Sequence, residues 1–205
     1  MASARRAQPT VGSGTSRVPG SGVSVCEIGL DADYEYFTGI GGSIHDTLDD
    51  LEMILNRADV IYQRDVDLMF EISAAVVRDA PGLPYTERAL IDLLIQLRDE
   101  WAQNMNGIKH DLVHLSTGKT PTNGGITLGW VGRACQSSRN TIARTNYVSD
   151  LEQRTRAFAF SVATNLGATS CWTTTNCRIM CGDFTLGACT GDITHFGPVA
   201  SATMR

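Results

Sequence analysis

Two histidines four residues apart are the first candidates for chemistry in this chain. His110 and His114 enclose Asp111 in the segment His-Asp-Leu-Val-His, whose spacing is similar to that of zinc motifs with two imidazoles on one helix face. Such a motif needs a helix of several turns, whereas this segment follows an Asn- and Gly-containing stretch, 104–107, and ends at Ser-Thr-Gly, 116–118. We therefore expect a strand that carries structural histidines.

Six cysteines form the second candidate group. Four of them lie near the C-terminus: Cys171, Cys177, Cys181 and Cys189. Their spacings differ from the C-x₂-C pair that is typical of zinc sites. With Cys26 and Cys135 the total is even, which favours an oxidising compartment and disulfides. The connectivity stays open, and a cysteine-based zinc or redox module is an alternative.

Hydrophobic periodicity predicts the strands that position these groups. Alternating or continuous apolar residues predict strands over 23–30 and 66–77, and shorter extended segments over 111–115 and 125–132. Helical patterns lie between these segments. The order of strands and helices therefore predicts an α/β (α+β) fold, in which helices pack on a mixed sheet.

Three helices are predicted. The first begins after a cap at Ser43 or Asp46 and carries an apolar stripe at helical spacing: Ile44, Leu48, Leu51, Ile54, Leu55, Ala58 and Ile61. The second helix covers residues 85–104. The third begins after Ser149 or Asp150 and ends near Leu166, before Gly167, which suits a left-handed C′ position.

The first 23 residues differ in composition from the rest of the chain. They contain four glycines and no acidic residue, since the first carboxylate belongs to Glu27. Such a segment buries too little apolar area to offset its ordering entropy, so alone it should be disordered. We expect an N-terminal arm over 1–23, held by a neighbouring subunit wherever it is ordered, and a single domain over 24–205.

Composition excludes several classes of protein. The chain has 205 residues, 42% of them hydrophobic, and 17 basic against 22 acidic residues give a formal charge of -5. This acidic balance argues against a nucleic-acid partner. The mostly apolar stretch 157–163, which Ser161 interrupts, is far too short to span a membrane. No secretory signal is visible, because Arg5-Arg6 is followed by a Gly/Ser/Thr-rich segment without an apolar core.

Six segments in order resemble the reprolysin (adamalysin-type) metzincin metallopeptidases, especially their bacterial secreted members. The segments are EIGLDADYEYF (27–37), HDLVHLSTG (110–118), GITLGWVGRAC (125–135), NLGA (165–168), RIMC (178–181) and THFGP (194–198). The resemblance implies a metzincin-like twisted mixed sheet with packed helices and an irregular C-terminal subdomain pinned by cysteines. It also implies disulfides rather than zinc at those cysteines, and an extracellular or cell-surface location.

The chemistry of this family rests on the motif H-E-x-x-H-x-x-G-x-x-H, whose histidines bind zinc and whose glutamate is the general base. Aligning the motif glycine with Gly167 gives the residues at the three ligand positions: Phe160, Thr164 and Ser170. Ser161 stands at the position of the base, and Met180 matches the methionine of the family's turn. The resemblance therefore implies a zinc motif that has lost its ligands and its base.

No shift of this alignment restores a ligand, because there is no histidine between Leu115 and Thr194. Phenylalanine has no lone pair for a metal, and neutral hydroxyls are poor substitutes for imidazole. Another base is not nearby either, since Glu152 precedes Ser161 by nine residues, about 13 Å along a helix. We therefore expect no zinc, no other cofactor and no catalytic residue.

Two further matches concern binding. Glu27 and Asp111 match positions that hold a structural calcium ion in some reprolysins, although a salt-bridged or solvated pair is the favoured alternative. The segment 125–132 matches the edge strand that pairs with extended substrate in the family. An unpaired edge accepts a peptide strand whether or not a metal is present, unless the arm covers it.

These observations predict a catalytically inactive metallopeptidase-like domain that acts as a structural, self-assembling or peptide- or protein-binding module. Phe160 is expected to fill its degenerate cleft. The arm or edge strand 125–132 is expected to make contacts in a homo-oligomer or extracellular assembly. The alternative is a zinc-dependent endopeptidase with non-standard ligands, which requires folding to bring together two of the rings of His110, His114 and His195.

Overall fold

Strands and helices alternate along most of the chain. The computed structural model describes residues 5–7, 22–122, 124–170, 178–181 and 192–204. The strands are β1 (Arg5–Ala7), β2 (Ser24–Ala32), β3 (Leu68–Val77), β4 (Leu112–Ser116), β5 (Thr127–Gly129) and β6 (Asn140–Ala143). The helices are α1 (Tyr34–Gly39), α2 (Ile44–Val66), α3 (Leu90–Gln103), α4 (Leu151–Asn165) and α5 (Pro198–Met204).

All six strands belong to one mixed sheet, in the order β1-β3-β2-β4-β6-β5. The four inner strands are parallel, whereas β1 pairs antiparallel with β3, and β5 pairs antiparallel with β6. Helices cover both faces, which explains why all five residues of β4 are buried. β5 and β1 therefore form opposite edges of the sheet.

Helices α2 and α4 cover one face of the sheet. The side chain of Ser43 accepts a hydrogen bond from the backbone N–H of Asp46 and so caps α2, as predicted. The apolar stripe of α2 from Leu51 to Ile61 packs with Ile28, Leu30 and Phe158 in one core cluster. The hydroxyl of Tyr62 in α2 donates to the carbonyl of Ala159 in α4 at 2.7 Å. This face therefore fixes α4 against the sheet.

Helix α3 covers the opposite face. Leu93, Leu94 and Leu97 pack against Val113 and Leu115 of β4 in a second core cluster. Leu112, which precedes Val113 in the strand, packs in the first cluster. Because successive side chains of a strand point to opposite faces, β4 contributes to both clusters.

A buried ionic network joins α3 to the sheet. Asp31 at the end of β2 is fully buried. It accepts hydrogen bonds from Arg78 Nη2 at 2.7 Å, Tyr85 Oη at 2.7 Å and Trp101 Nε1 at 3.0 Å. These donors fix the orientation of α3 and satisfy the buried carboxylate.

Several predicted boundaries are wrong. Strand β3 begins at Leu68 because α2 continues through Val66, and α3 begins at Leu90 rather than at Tyr85, whose hydroxyl binds Asp31 instead. The sequence patterns also missed four elements: β1, α1, β6 and α5. These elements have three to seven residues each, too few for a clear periodic signal.

The predicted arm contributes one strand. Arg5–Ala7 pair with Ala75–Val77 of β3 of the same chain, and contact of the arm with a neighbouring subunit stays a prediction. Backbone pairing with an edge strand supplies the order that the composition of this segment cannot supply. Most of the arm and the cysteines Cys171, Cys177 and Cys189 lie outside the described residues. No helix within the described ranges is long and apolar enough to cross a membrane.

Candidate functional site

Helix α4 carries the residues that match the zinc motif. Asp150 caps its N-terminus through the backbone N–H of Gln153, and the helix ends at Asn165. Gly167 follows with a φ of +103°, a left-handed conformation that favours glycine. The alignment of Gly167 with the motif glycine therefore agrees with the local backbone.

The three ligand positions do not fit a zinc ion. Phe160 is half-buried and packs against the core cluster of α2 and α4. Thr164 donates its hydroxyl to the carbonyl of Phe160 at 2.9 Å, so its proton is directed back to the helix. Ser170 is exposed beyond the helix end. Together they present one aromatic ring and two neutral hydroxyls where the motif has three imidazoles.

The side chain at the motif position of the general base points into the core. Ser161 is fully buried, and its hydroxyl donates to the carbonyl of Phe158 at 2.8 Å. Its Oγ also lies 3.4 Å from Nδ1 of His114. A hydroxyl that is buried and already bonded to a backbone carbonyl has no access to a substrate, so this position supplies no general base.

His114 is part of the core beneath α4. It lies in β4, as the strand prediction required, and its Nδ1 is 2.9 Å from Oγ1 of Thr141 in β6. Its ring packs on that of Phe158 with centroids 4.4 Å apart. Nε2 is buried and has no hydrogen-bond partner among the described residues. Complete burial lowers the pKa of this imidazole to about 3, so the ring is neutral.

The other two histidines of the alternative zinc site lie elsewhere. His110 packs on Trp101 of α3, with centroids 5.1 Å apart, and its Nδ1 contacts the carbonyl of Ile108 at 2.7 Å. His195 pairs with Asp192 at 2.5 Å in the C-terminal segment. His110 and His114 thus pack against helices on opposite faces of the sheet. No group of three metal-ligating side chains occurs in the part of the chain that the structure describes.

Met180, which matches the methionine of the family's turn, packs in the core beside α4. It is 1% exposed and belongs to the same core cluster as Phe158 and Phe196. The adjacent residue Ile179 donates its backbone N–H to the carbonyl of His195 at 3.0 Å. The turn methionine is therefore a core residue that joins the C-terminal segment to α4.

The edge strand β5 is seated directly on α4. A Cβ added to Gly129 would lie 2.8 Å from the carbonyl oxygen of Ser161, so only glycine permits this approach. After the strand, the backbone N–H of Gly132 donates to the carbonyl of Thr164, and that of Arg133 donates to the carbonyl of Asn165. β5 and the C-terminal half of α4 therefore form one unit.

The outer side of β5 presents backbone groups. The backbone N–H of Arg144 donates to the carbonyl of Ile126, which identifies these two residues as a hydrogen-bonded antiparallel pair. Because such pairs alternate, the N–H and C=O groups of Thr127 and Gly129 point away from β6. No described strand pairs with them, and the described strand of the arm lies on the opposite edge.

Glu27 forms an ion pair with Lys109, and Asp111 accepts a backbone hydrogen bond. Oε2 of Glu27 lies 2.9 Å from the ammonium of Lys109, and Oδ2 of Asp111 accepts the backbone N–H of Glu27 at 3.0 Å. A calcium ion at this pair stays a prediction. Beside it, Cys135 contacts Oδ1 of Asp111 at 3.7 Å. Cys26 and Cys135 carry free thiols, so neither belongs to a disulfide; pairing among the other cysteines stays a prediction.

Two residues of this site were missed by the sequence analysis. Thr141 bonds His114, and Phe158 packs on its ring. Thr141 lies in β6, which was not predicted, and the short run Asn-Thr-Ile-Ala was the only signal for that strand. The contacts join residues far apart in the chain, so periodicity does not reveal them.

Comparison with known proteins identifies the family. The model for metallo-peptidase family M12 (reprolysin type) matches residues 23–178. No curated relative matches the sequence. A solved structure described as a chaperone-substrate complex aligns with a TM-score of 0.58 at 13% identity, over 74% of this chain and 27% of that chain. The chain thus spans about a quarter of that one, and the likeness shows the fold alone. Because the family model covers most of its length, this chain belongs to metallo-peptidase family M12.

Proposed function

We propose that this protein is a family M12 domain without peptidase activity, which binds an extended peptide or protein segment along β5. One observation carries the first half of this proposal: Phe160 occupies the position of the first zinc ligand and packs into the core. A structural zinc site contributes on the order of 10–16 kcal/mol of binding through its ligands. The side chains of Phe160, Thr164 and Ser170 offer no imidazole or thiolate for such a site.

Zinc content tests the loss of the metal site. After refolding with zinc chloride, we expect less than about 0.1 zinc per chain by plasma mass spectrometry and no cleavage of casein. The matched control is the double variant Thr164→Val with Ser170→Ala, which removes the remaining oxygens of the motif. One zinc per wild-type chain that is lost in this variant would refute the proposal. Zinc that persists in the variant belongs to other residues, and the proposal then stands when casein stays uncleaved and fails when casein is cleaved.

The second half of the proposal rests on the backbone of β5. Two residues of this strand, Thr127 and Gly129, direct their N–H and C=O groups away from β6. Strand addition uses these groups, since main-chain hydrogen bonds supply the affinity and neighbouring side chains the specificity. Val131 just beyond the strand is 59% exposed and supplies an apolar contact at the same edge. None of these features requires a metal.

A proline at position 127 tests this surface. Thr127→Pro removes an outward N–H group without removing a hydrogen bond to β6, so the fold should be retained. Peptides are first selected on the wild-type domain from a random display library. They should bind Thr127→Pro at least about tenfold more weakly than the wild type. They should bind the control variant Thr127→Ala with unchanged affinity. The proposal fails when no peptide is selected, or when the proline variant binds as tightly as the alanine variant.

We further propose that the arm serves self-assembly outside the cell. In the structure, Arg5–Ala7 pair with β3 of their own chain, and the same edge suits the arm of a second copy. Light scattering of the full chain should then report a dimer or larger species, and deletion of residues 1–23 should yield a monomer. A full chain that is monomeric at concentrations of about 100 μM would contradict this part of the proposal.

A further inference from the structure

A cavity lies at the amino ends of β4 and β6, beside α3. Its volume is about 250 Å³. Its polar lining includes Arg98, Arg139, His110 and Asn140, and Trp101 and Val113 supply apolar walls. No lining residue carries a carboxylate, although the chain as a whole is acidic. Arg98 and Arg139 are therefore the charged side chains of this lining.

The two arginines of this cavity differ in their partners. The guanidinium of Arg98 is satisfied by the adjacent Asp99, with Nε 2.9 Å and Nη2 2.8 Å from the same carboxylate oxygen. Arg139 is half-buried and forms no ion pair within the part of the chain that the structure describes. A guanidinium that is partly withdrawn from water and lacks a counter-ion favours an anion from solution.

Neutral polar groups surround this guanidinium. The side chain of Asn140 is 3% exposed; its Nδ2 donates to the carbonyl of Leu94 at 2.5 Å, and its Oδ1 is buried without a partner. Nδ1 of His110 bonds the carbonyl of Ile108, and no described residue bonds its Nε2. Both of these atoms are acceptors, since Nδ1 of His110 donates to Ile108, so an anion alone does not satisfy them. A bound molecule that carries an anionic oxygen for Arg139 and a hydroxyl donor for these acceptors does.

We propose that this cavity is a binding site for a small oxyanion, a carboxylate or a phosphate group, with the guanidinium of Arg139 as its principal contact. Planar guanidinium groups bind both kinds of anion through two parallel hydrogen bonds. The apolar walls formed by Trp101 and Val113 suit a group that is carried on a small organic molecule. The site lies on the α3 side of the sheet, so it does not depend on the proposed function of α4 and β5.

Calorimetric titration with two simple probes tests the site. Inorganic phosphate and sodium acetate are titrated into the full chain at constant ionic strength set with sodium chloride. We expect saturable binding of at least one probe with a Kd on the order of millimolar. Saturation by phosphate alone identifies a phosphate site, and saturation by acetate identifies a carboxylate site. No saturable binding of either probe would overturn the proposal.

Three variants locate the binding. Arg139→Gln should weaken it at least about tenfold. Arg133→Gln is the matched control, because Arg133 is exposed, contacts Gln136 and does not line the cavity. Ala102→Trp fills the cavity from its exposed rim and keeps both arginines, so it should abolish binding while leaving the charge unchanged. Binding that survives in both Arg139→Gln and Ala102→Trp would refute this location, and the tryptophan variant keeps the test valid when the glutamine variant does not fold.

Discussion

Ser161 and His114 meet inside the core, with Oγ of the serine 3.4 Å from Nδ1 of the histidine and both side chains fully buried. In the zinc motif the position of Ser161 belongs to the catalytic base. Here the same position directs a hydroxyl to the carbonyl of Phe158 and to a neutral imidazole. The helix of the peptidase motif thus has a packing role at this position.

The free energy of unfolding should decrease as the pH is lowered, because His114 is buried in its neutral form. Burial lowers the pKa of this imidazole from 6.5 to about 3, so below pH 6.5 the unfolded chain binds a proton that the folded chain does not. The free energy of unfolding should therefore decrease from about pH 6.5 down to about pH 3. Between about pH 7.5 and about pH 4.5 this single group accounts for roughly 2 to 3 kcal/mol.

Urea unfolding of His114→Gln measures this contribution, since an amide can still bond Thr141 and does not titrate. The variant should lose less stability than the wild type over the same pH range. His45→Gln, at an exposed position on α2, is the control and should keep the steep dependence because His114 is intact. Equal pH dependence in the wild type and His114→Gln would show that the histidine does not control acid stability.

A residue larger than glycine at position 129 should lower the stability of the fold. In Gly129→Ala the new Cβ would lie 2.8 Å from the carbonyl of Ser161 and 3.2 Å from Cγ2 of Thr141. β5 must then move away from α4, at a cost of about 1 to 3 kcal/mol in the free energy of unfolding. Gly107→Ala is the matched control, because nothing lies within 4 Å of its Cβ. Urea midpoints that are equal for the two variants would contradict the close approach of β5 and α4.

Asp31 should be the most sensitive acidic residue on the α3 side. Asp31→Asn replaces the carboxylate that accepts from Arg78, Tyr85 and Trp101 by a neutral amide and leaves Glu100 as the remaining counter-ion of Arg78, which should lower the free energy of unfolding by about 1 to 3 kcal/mol. Asp49→Asn is the control; Asp49 pairs with His45 at the surface and should change stability by less than about 0.5 kcal/mol. A loss below about 1 kcal/mol for Asp31→Asn would mean that the network can rearrange.

The two free thiols should differ in reactivity. Cys135 is exposed whereas Cys26 is buried, and burial raises the pKa of both thiols. Iodoacetamide should therefore label Cys135 first in the native protein and both residues in urea, as read by peptide mass spectrometry. Asp111 also raises the pKa of Cys135, so iodoacetamide should label Cys135 faster in the Asp111→Asn variant than in the wild type. Native protein in which both cysteines resist labelling, but react after reduction, would show a disulfide instead.

The sequence predicted some secondary-structure elements and missed others. Helices α2 and α3 were predicted from apolar residues at helical spacing, whereas α4 was predicted from its cap and from Gly167. Ser43 and Asp150 cap α2 and α4 as expected. β6 escaped prediction because four residues contain no periodicity. Tyr85 was assigned to α3 because its local pattern is helical, but its hydroxyl bonds Asp31, which lies 54 positions earlier in the chain. Local patterns carry no information about such a distant partner.

The sequence alone determined which metal-binding side chains are absent from the motif. Side-chain identity decides whether a residue can bind a metal, and Phe160, Thr164 and Ser170 have no imidazole in any conformation. Only the tertiary structure decided where the remaining polar groups lie. It placed His114 and His110 against opposite helices, turned Ser161 inward and left Arg139 beside a cavity, with no counter-ion among the described residues. Burial and pairing depend on contacts between distant segments, and these contacts form only when the chain folds.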